Sequence, residues 1–317
     1  MAMNRIQFQP GLSLPAFCKL YGTEAQCAAA LEKARWPTGF SCPRCDGHQA
    51  SRIHGRRHPL FQCCACRHQT SLFADTVMQG SKLALTIWFL AIFLLSQAKT
   101  GLSALALKRQ LGVSYPTAWL IHHKLMRAMA EREAGYRLSG SIQIDDAYLG
   151  GERTGGKVGR GSENKVPFVA AVSLAEDGHP LYAKFSPVRG FTLHSMAQWA
   201  QISVCPESQI VSDGLAGFAG VTQAGCVHRP IIAAGRKPRE LAEFAWINTL
   251  LGNLKTSLSG TFHAFRFRKY AAHYLAEVAY RFNRRFDLSA LPSRLLVAAA
   301  CCKPQPLWKI RLAEDCC

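Results

Sequence analysis

Residues 142–187 read IQIDDAYLGGERTGGKVGRGSENKVPFVAAVSLAEDGHPLYAKFSP. Three runs within it, IQIDDAYLG, VPFVAAVSL and PLYAKFSP, are rich in β-branched and aromatic residues and alternate with a period of two, which predicts strands. EDGHP separates the second run from the third and predicts a hairpin. A Gly- and Lys-rich segment separates the first two. Downstream, TLHSMAQWAQI predicts a helix, SQIVSD a short strand and GCVHRPIIA another, and two helices follow over about 239–258 and 269–282. This order predicts a mixed sheet with flanking helices.

Working outward, the N-terminal side is different in kind. GTEAQCAAALEKARW has helical composition with Thr23 placed as an N-cap, and WPTGF ends the helix. Residues 41–73 crowd cysteines, histidines and arginines together without apolar runs. Residues 81–134 are apolar and helical, broken at KTGLS and LGVS. On the other side, LPSRLLVAAACC predicts a short helix, and Cys301, Cys302, Cys316 and Cys317 form no ligand spacing.

Composition narrows the partner. Thirty-eight Lys and Arg against 20 Asp and Glu give a formal charge of +18. Such a balance favours a polyanion, because each cation on a phosphate releases condensed counterions. The longest greasy stretch, Leu83 to Leu95, is 13 residues and contains Thr86. A membrane span needs roughly 20 residues, so no membrane association is expected. The opening MAMNRIQFQPGLSLP has no apolar signal core, so a cytoplasmic location is expected and clustered cysteines point to metal rather than disulfides.

Cys42-Pro-Arg-Cys45 and Cys63-Cys64-Ala-Cys66 are two C-x2-C knuckles with 17 residues between them. The spacing suits one tetrahedral zinc ion with Cys42, Cys45, Cys63 and Cys66 as ligands and Cys64 as a bystander. A closed four-sulfur site leaves no position for water, so this zinc is expected to be structural. A redox pair is disfavoured because no βαβ pattern surrounds the motif. The segment also carries Arg52, Arg56, Arg57 and Arg67 with His54, His58 and His68, and no acid from Ser51 to His68. That composition suits docking on phosphates, against the alternative of a solvated basic loop.

GLSALALKRQLGVSYPTAWLIHHKLMRAM predicts a helix, a turn at Leu111–Ser114 and a second helix with Ser114 as N-cap and Pro116 in its first turn. Ala118, Ile121, Leu125 and Met129 define an apolar face, with Lys124 and Arg127 off it. The pattern is that of a helix-turn-helix, or of a plain αα-hairpin.

Asp145 and Asp146 follow the strand Ile142-Gln143-Ile144, and Asp213 follows Gln209-Ile210-Val211. Carboxylates at the ends of neighbouring strands converge on hard cations such as Mg2+, although a turn-forming Asp at a strand end is common.

Taken together, CPRC…CCAC, RHQTSLFADT, LGVSYPTAWLIHHKL, IDDAYLGG, VSDG and INTLLGNLKTSLSGTFHAF…YLAEVAYRFNRRF resemble the insertion-sequence transposases of the ISXO-two-like family, from Phe17 to Phe286, about 85% of the chain. The resemblance implies an α+β multidomain chain. Residues 1–75 would hold the N-terminal helix and zinc ribbon, 80–135 the helix-turn-helix-like segment, 138–290 an RNase H-like DDE-type catalytic domain and 291–317 a tail. It further implies cutting at element ends and joining of the freed 3′-OH to target DNA, with two Mg2+ or Mn2+ ions held by Asp145, Asp213 and a third position at Asn248. Lys255, two helical turns on, shares a face with Asn248 and would contact a phosphate. The family pattern has Glu where this chain has Asn248. An Asn carbonyl can ligate Mg2+ but brings no charge. Glu243 and Asp146 are possible extra charges. The implied partner is double-stranded DNA, namely terminal inverted repeats and target, bound by a homodimer or higher assembly at the bacterial nucleoid.

Two competing readings stand beside this one. The first is a catalytically inactive repressor, favoured by Asn248. The second is a stand-alone RNase H-like nuclease, which the ribbon and helix-turn-helix argue against. Tyr280, near Arg281, Arg284 and Arg285, imitates a tyrosine recombinase but fits an apolar face with Val278. No His-x-His motif occurs, since His122 and His123 are adjacent. Basic character recurs in the loop Gly150–Lys165, with four basic and two acidic residues among six glycines. It recurs again over Arg266–Arg285, with six Lys or Arg against Glu277 alone.

Overall fold

A computed structural model describes residues 6, 8–53, 55, 58–150, 162, 164–232, 241–262 and 265–312. The basic residues Arg56, Arg57 and His54, most of the loop 151–163 and Cys316 and Cys317 lie outside the described residues. The chain divides into two compact units, residues up to Met129 with Arg285–Arg311, and Ala130–Arg284 with the residues from Leu312 on.

The first unit combines helices with a small sheet. Its first helices are α1 (Leu14–Tyr21) and α2 (Glu24–Arg35). Thr23 caps α2 as expected, and Gln26 returns a hydrogen bond to the Thr23 backbone, completing a capping box. Strands β1 (Ala50–Ile53), β2 (Leu60–Cys63) and β3 (Gln69–Ser71) form an antiparallel three-stranded sheet. Helix α3 (Leu85–Gln97) is the greasy stretch. Among the described residues, no helix is long and apolar enough to cross a membrane. The N-cap of α3, Ala84, makes no side-chain hydrogen bond. Instead the Glu24 carboxylate, from α2, accepts the N–H groups of Leu85 (3.0 Å) and Thr86 (2.8 Å). The residues expected to be a short helix near the C-terminus form α9 (Leu291–Cys301), whose Ala299 carbonyl accepts the Val77 N–H at 3.2 Å.

Helices α4 (Ala104–Leu111) and α5 (Tyr115–Ala134) are the predicted helix pair. Gly112 ends α4 in the left-handed conformation, φ 66°, which a side chain would strain. Ala118, Ile121, Leu125 and Met129 are all buried, as the pattern requires. Lys124 departs from expectation. It is buried, and its Nζ donates to the Val77 carbonyl at 2.9 Å, so it is unavailable to phosphate. Exposed positions include Leu105, Lys108, Arg109 and Gln110 on α4 and Ser114, Tyr115 and Pro116 at the start of α5.

The second unit is a mixed five-stranded sheet with helices on both faces. Its strands are β4 (Ser141–Leu149), β5 (Val166–Leu174), β6 (Pro180–Pro187), β7 (Gln209–Ser212) and β8 (Val227–Pro230), in the order β6-β5-β4-β7-β8. β5 is antiparallel to both neighbours, while β4, β7 and β8 are parallel. This is the strand order and direction of an RNase H-like sheet, matching the fold expected from the resemblance. Helix α6 (Leu193–Ser203), capped by Thr192, and a 3₁₀ segment (Ala216–Ala224) cover one face. They pack on Ile142, Ile144 and Ile210. Helices α7 (Ala245–Ser257) and α8 (Phe267–Asn283) pack with Ala147, Leu149 and Val211. Alternation therefore puts Gln143, Asp145, Ala147 and Leu149 on the α7 face of the central strand.

A buried polar knot joins α5, β6 and α8 inside this unit. Glu133 accepts from Tyr136 Oη (2.7 Å) and Asn283 Nδ2 (2.6 Å) and pairs with Arg284. Asn283 also accepts the Ala183 N–H at 2.7 Å. Arg281 pairs with the fully buried Glu277. Two of the six cations counted over 266–285 are thus spent on internal carboxylates rather than facing a ligand. Tyr280 has no exposed surface and lies under the Arg284 guanidinium, 3.6 Å from the ring centre, so it cannot act as a nucleophile.

Candidate metal centres

Two groups of ligating side chains converge among the described residues: Cys42, Cys45, Cys63 and Cys66, and Asp145, Asp146 and Asp213.

The cysteine group is built from two equivalent turns. Asp46 N–H donates to the Cys42 carbonyl and Arg67 N–H to the Cys63 carbonyl, both at 3.0 Å. The residue after each second cysteine is left-handed, with φ 56° at Asp46 and 60° at Arg67. A Cβ on Gly47 would sit 3.3 Å from Cys63 Sγ and 3.4 Å from Cys45 Sγ, so a bare backbone makes room for the sulfurs. Sγ separations are 3.6 Å for Cys42–Cys66 and 3.6 Å for Cys45–Cys63. A zinc ion about 2.3 Å from four sulfurs spaces them by about 3.8 Å, so this donor set fits tetrahedral zinc. The backbone N–H of Cys66, then that of Ala65, lowers the Cys63 thiol toward the ligating thiolate, whereas at Cys45 the Gly47 N–H is outweighed by the Cys66 and Cys63 sulfurs, which raise it. Cys64 is exposed and outside the group. Arg52, expected to face phosphate, pairs with Glu32 and lies over the Phe61 ring. Arg67 is exposed.

The carboxylate group follows from strand register. β4 and β7 run parallel with Ser141 opposite Gln209 and Gln143 opposite Val211. Continuing that register by two residues sets Asp145 level with Asp213, on the same face. One ligand oxygen from each of Asp145, Asp146 and Asp213 lies within 4.8 Å of the others. Burial first, then the neighbouring charges of Asp146 and Asp213, pushes Asp145 up to about 7, partly offset by Lys255. Carboxylates held this close repel one another, and a divalent cation relieves the repulsion with the hard oxygen donors it prefers. The donor set therefore fits Mg2+ or Mn2+.

The turn carrying Asp213 is supported from β8. Ser212 Oγ lies 2.9 Å from His228 Nε2, and burial lowers the His228 pKa, favouring the neutral ring. Asp213 Oδ1 accepts the Leu215 N–H at 3.1 Å.

Of the remaining expected site residues, Asn248 and Lys255 lie on one exposed face of α7. Lys255 is near enough for its charge to act on Asp145. Glu243, in the 3₁₀ turn Ala242–Phe244, is not a member of the acidic group. Asp146, the other residue named from the sequence as a possible extra charge, is a member, next to Asp145.

Comparison with known proteins agrees with this geometry. Residues 137–283 match the model of the ISXO2-like transposase domain, and residues 22–69 match that of the transposase zinc-ribbon domain. An uncharacterized protein in transposable element ISH50 of Halobacterium salinarum is 29% identical over 184 residues. The match covers 52% of this chain and 60% of that protein's length. Residues 137–283 are thus similar to an ISXO2-like transposase domain and residues 22–69 to a transposase zinc ribbon, and the acidic and four-cysteine groups lie within those respective stretches.

Proposed function

We propose that the protein is the active transposase of an insertion sequence, cutting at the element's terminal inverted repeats and joining the freed 3′-OH to target DNA. The observation that carries this reading is the convergence of Asp145, Asp146 and Asp213 within 4.8 Å, with Lys255 electrostatically coupled to them. Asp145, Asp213 and Asn248 hold two Mg2+ or Mn2+ ions. Bound there, such ions activate an attacking hydroxyl and stabilise a leaving 3′ oxygen. Asn248 contributes a neutral carbonyl oxygen, and Asp146 supplies the negative charge that Asn248 lacks. Lys255 Nζ holds the scissile phosphate, on the same face of α7 as Asn248. No protein nucleophile is required, in keeping with the burial of Tyr280. One structural zinc on Cys42, Cys45, Cys63 and Cys66 shapes the ribbon, which docks on phosphates through residues such as Arg67. The α4–α5 pair meets DNA through its exposed α4 cations and the first turn of α5, the end by which such helices reach base edges. The protein acts at the nucleoid as a homodimer or higher assembly on DNA.

The test is a strand-transfer assay with Mg2+ or Mn2+ on DNA carrying the element's ends, comparing wild type with Asp213→Ala. Joined product from wild type alone supports the reading. Tight end binding without product from either protein refutes it. That outcome would favour the second reading, a repressor derived from a transposase, for which the specific observation is Asn248 in place of Glu.

A further inference from the structure

The central strand consumes its own backbone on both sides. At Gln143 the chain pairs with Val172 of β5 and Val211 of β7, so main-chain groups of β4 serve the sheet. Helix α7 lies outside that ladder. Its N-cap, Phe244, makes no side-chain hydrogen bond, and its first turn contains no acid. Yet the Ile247 N–H, at the third helical position, donates to Gln143 Oε1 at 3.0 Å. Both residues are buried, at 4% and 0% exposure. The third position is where an N-cap side chain ordinarily accepts. Here the acceptor comes from a strand 104 residues away in sequence.

We propose that Gln143 is a positioning residue that caps α7 from the central strand and thereby sets Asn248 relative to Asp145. Gln143 and Asp145 are successive residues on one face of β4, roughly 6.6 Å apart along a rigid strand. Asn248 directly follows the capped residue. Helical geometry then fixes Lys255, about 10 Å further along the same face. One strand face thus carries both a carboxylate and the bolt for the helix bearing the neutral donor. Glu24 does the same for α3 in the first unit, but with a charged acceptor. At position 143 a neutral acceptor avoids adding a fourth carboxylate beside Asp145. The inference rests on the reading of Asn248 as a metal-holding residue.

The experiment uses the zinc-loaded full-length chain with Gln143→Met, which keeps bulk and removes the acceptor, and Gln143→Glu, which restores one. Amide hydrogen exchange over 245–248 reports the cap directly. In Gln143→Met it is expected to rise about tenfold, the cost of one buried N–H left without its acceptor, and to return toward wild type in Gln143→Glu. Mn2+ affinity, read by electron paramagnetic resonance without DNA, is expected to fall about threefold to tenfold in Gln143→Met, with zinc content unchanged. Wild-type exchange at 245–248 in Gln143→Met overturns the inference, whatever Asn248 does. Failure of the ligand reading shows separately, as wild-type Mn2+ affinity in Asn248→Ala. An affinity loss in Gln143→Met that Asn248→Ala does not share also overturns the proposed route through Asn248.

Discussion

Replacing Asp145 with Asn should make the metal-free protein more stable at pH 8, although it removes a residue placed at the centre of the site. Burial and the charges of Asp146 and Asp213 raise Asp145 from 3.8 to about 7. The folded state therefore binds this proton more tightly than the unfolded chain does. Below about pH 4 the group is protonated in both states and the penalty is absent. The folded protein loses stability as pH rises from there through 7, and above 7 the loss is complete. At about 1.4 kcal/mol per pH unit the displacement corresponds to about 4 kcal/mol. Asp145 is only partly buried, and salt and solvent screen the cluster, so about 2 kcal/mol is the working figure. For a domain of this size that raises the melting temperature by about 4–8 °C. The assay is calorimetry of zinc-loaded protein dialysed free of Mg2+, comparing wild type and Asp145→Asn at pH 5 and pH 8. The gap should be about a third of its full size at pH 5 and full at pH 8, and Mg2+ should close it by stabilising wild type alone. A gap independent of pH, or an Asn variant less stable at pH 8, would refute the account of the site as mutually repelling carboxylates.

Other consequences are equally direct. Zinc removal should unfold the ribbon around Cys42–Cys66 and weaken DNA binding, because the ion's binding energy is folding energy there; unchanged circular dichroism and DNA affinity after chelation would contradict it. Lys255→Ala should reduce strand transfer by about tenfold to a hundredfold with zinc content intact, a range set by the loss of one charged contact to a phosphate; equal activity would remove Lys255 from the site. Tyr280→Phe should leave DNA cleavage within about twofold of wild type, since a fully buried ring cannot attack a phosphodiester; abolished cleavage with an intact fold would revive covalent chemistry. Glu24→Ala should destabilise the first unit by about 1 kcal/mol through uncapping α3, measured by urea unfolding followed at a tryptophan of that unit.

The division between what was legible in the chain and what was not follows the range of the interactions involved. Period-two runs placed β4, β5 and β6 within a residue or two, because strand patterning is written in neighbouring side chains. The two C-x2-C turns were equally plain: each is closed by hydrogen bonds spanning four or five residues, so spacing alone encodes it. Thr23 and the Gly112 turn belong to the same class. Lys124 was not legible, because its helix looked amphipathic and only the packing of the Val77 carbonyl against it made it internal. Arg281 and Arg284 counted as free cations until the fold brought Glu277 and Glu133 to them.

At the acidic site the sequence by itself determined which residues were available and, through strand ends, that Asp145 and Asp213 were candidates. Only the tertiary structure decided that the parallel register of β4 and β7 sets them level, that Asp146 joins them, and that Gln143 reaches across to cap the helix bearing Asn248 and Lys255. Local propensity acts over a few residues. Register, burial and charge pairing are set by segments as much as a hundred residues apart, and they exist only once the chain has closed on itself.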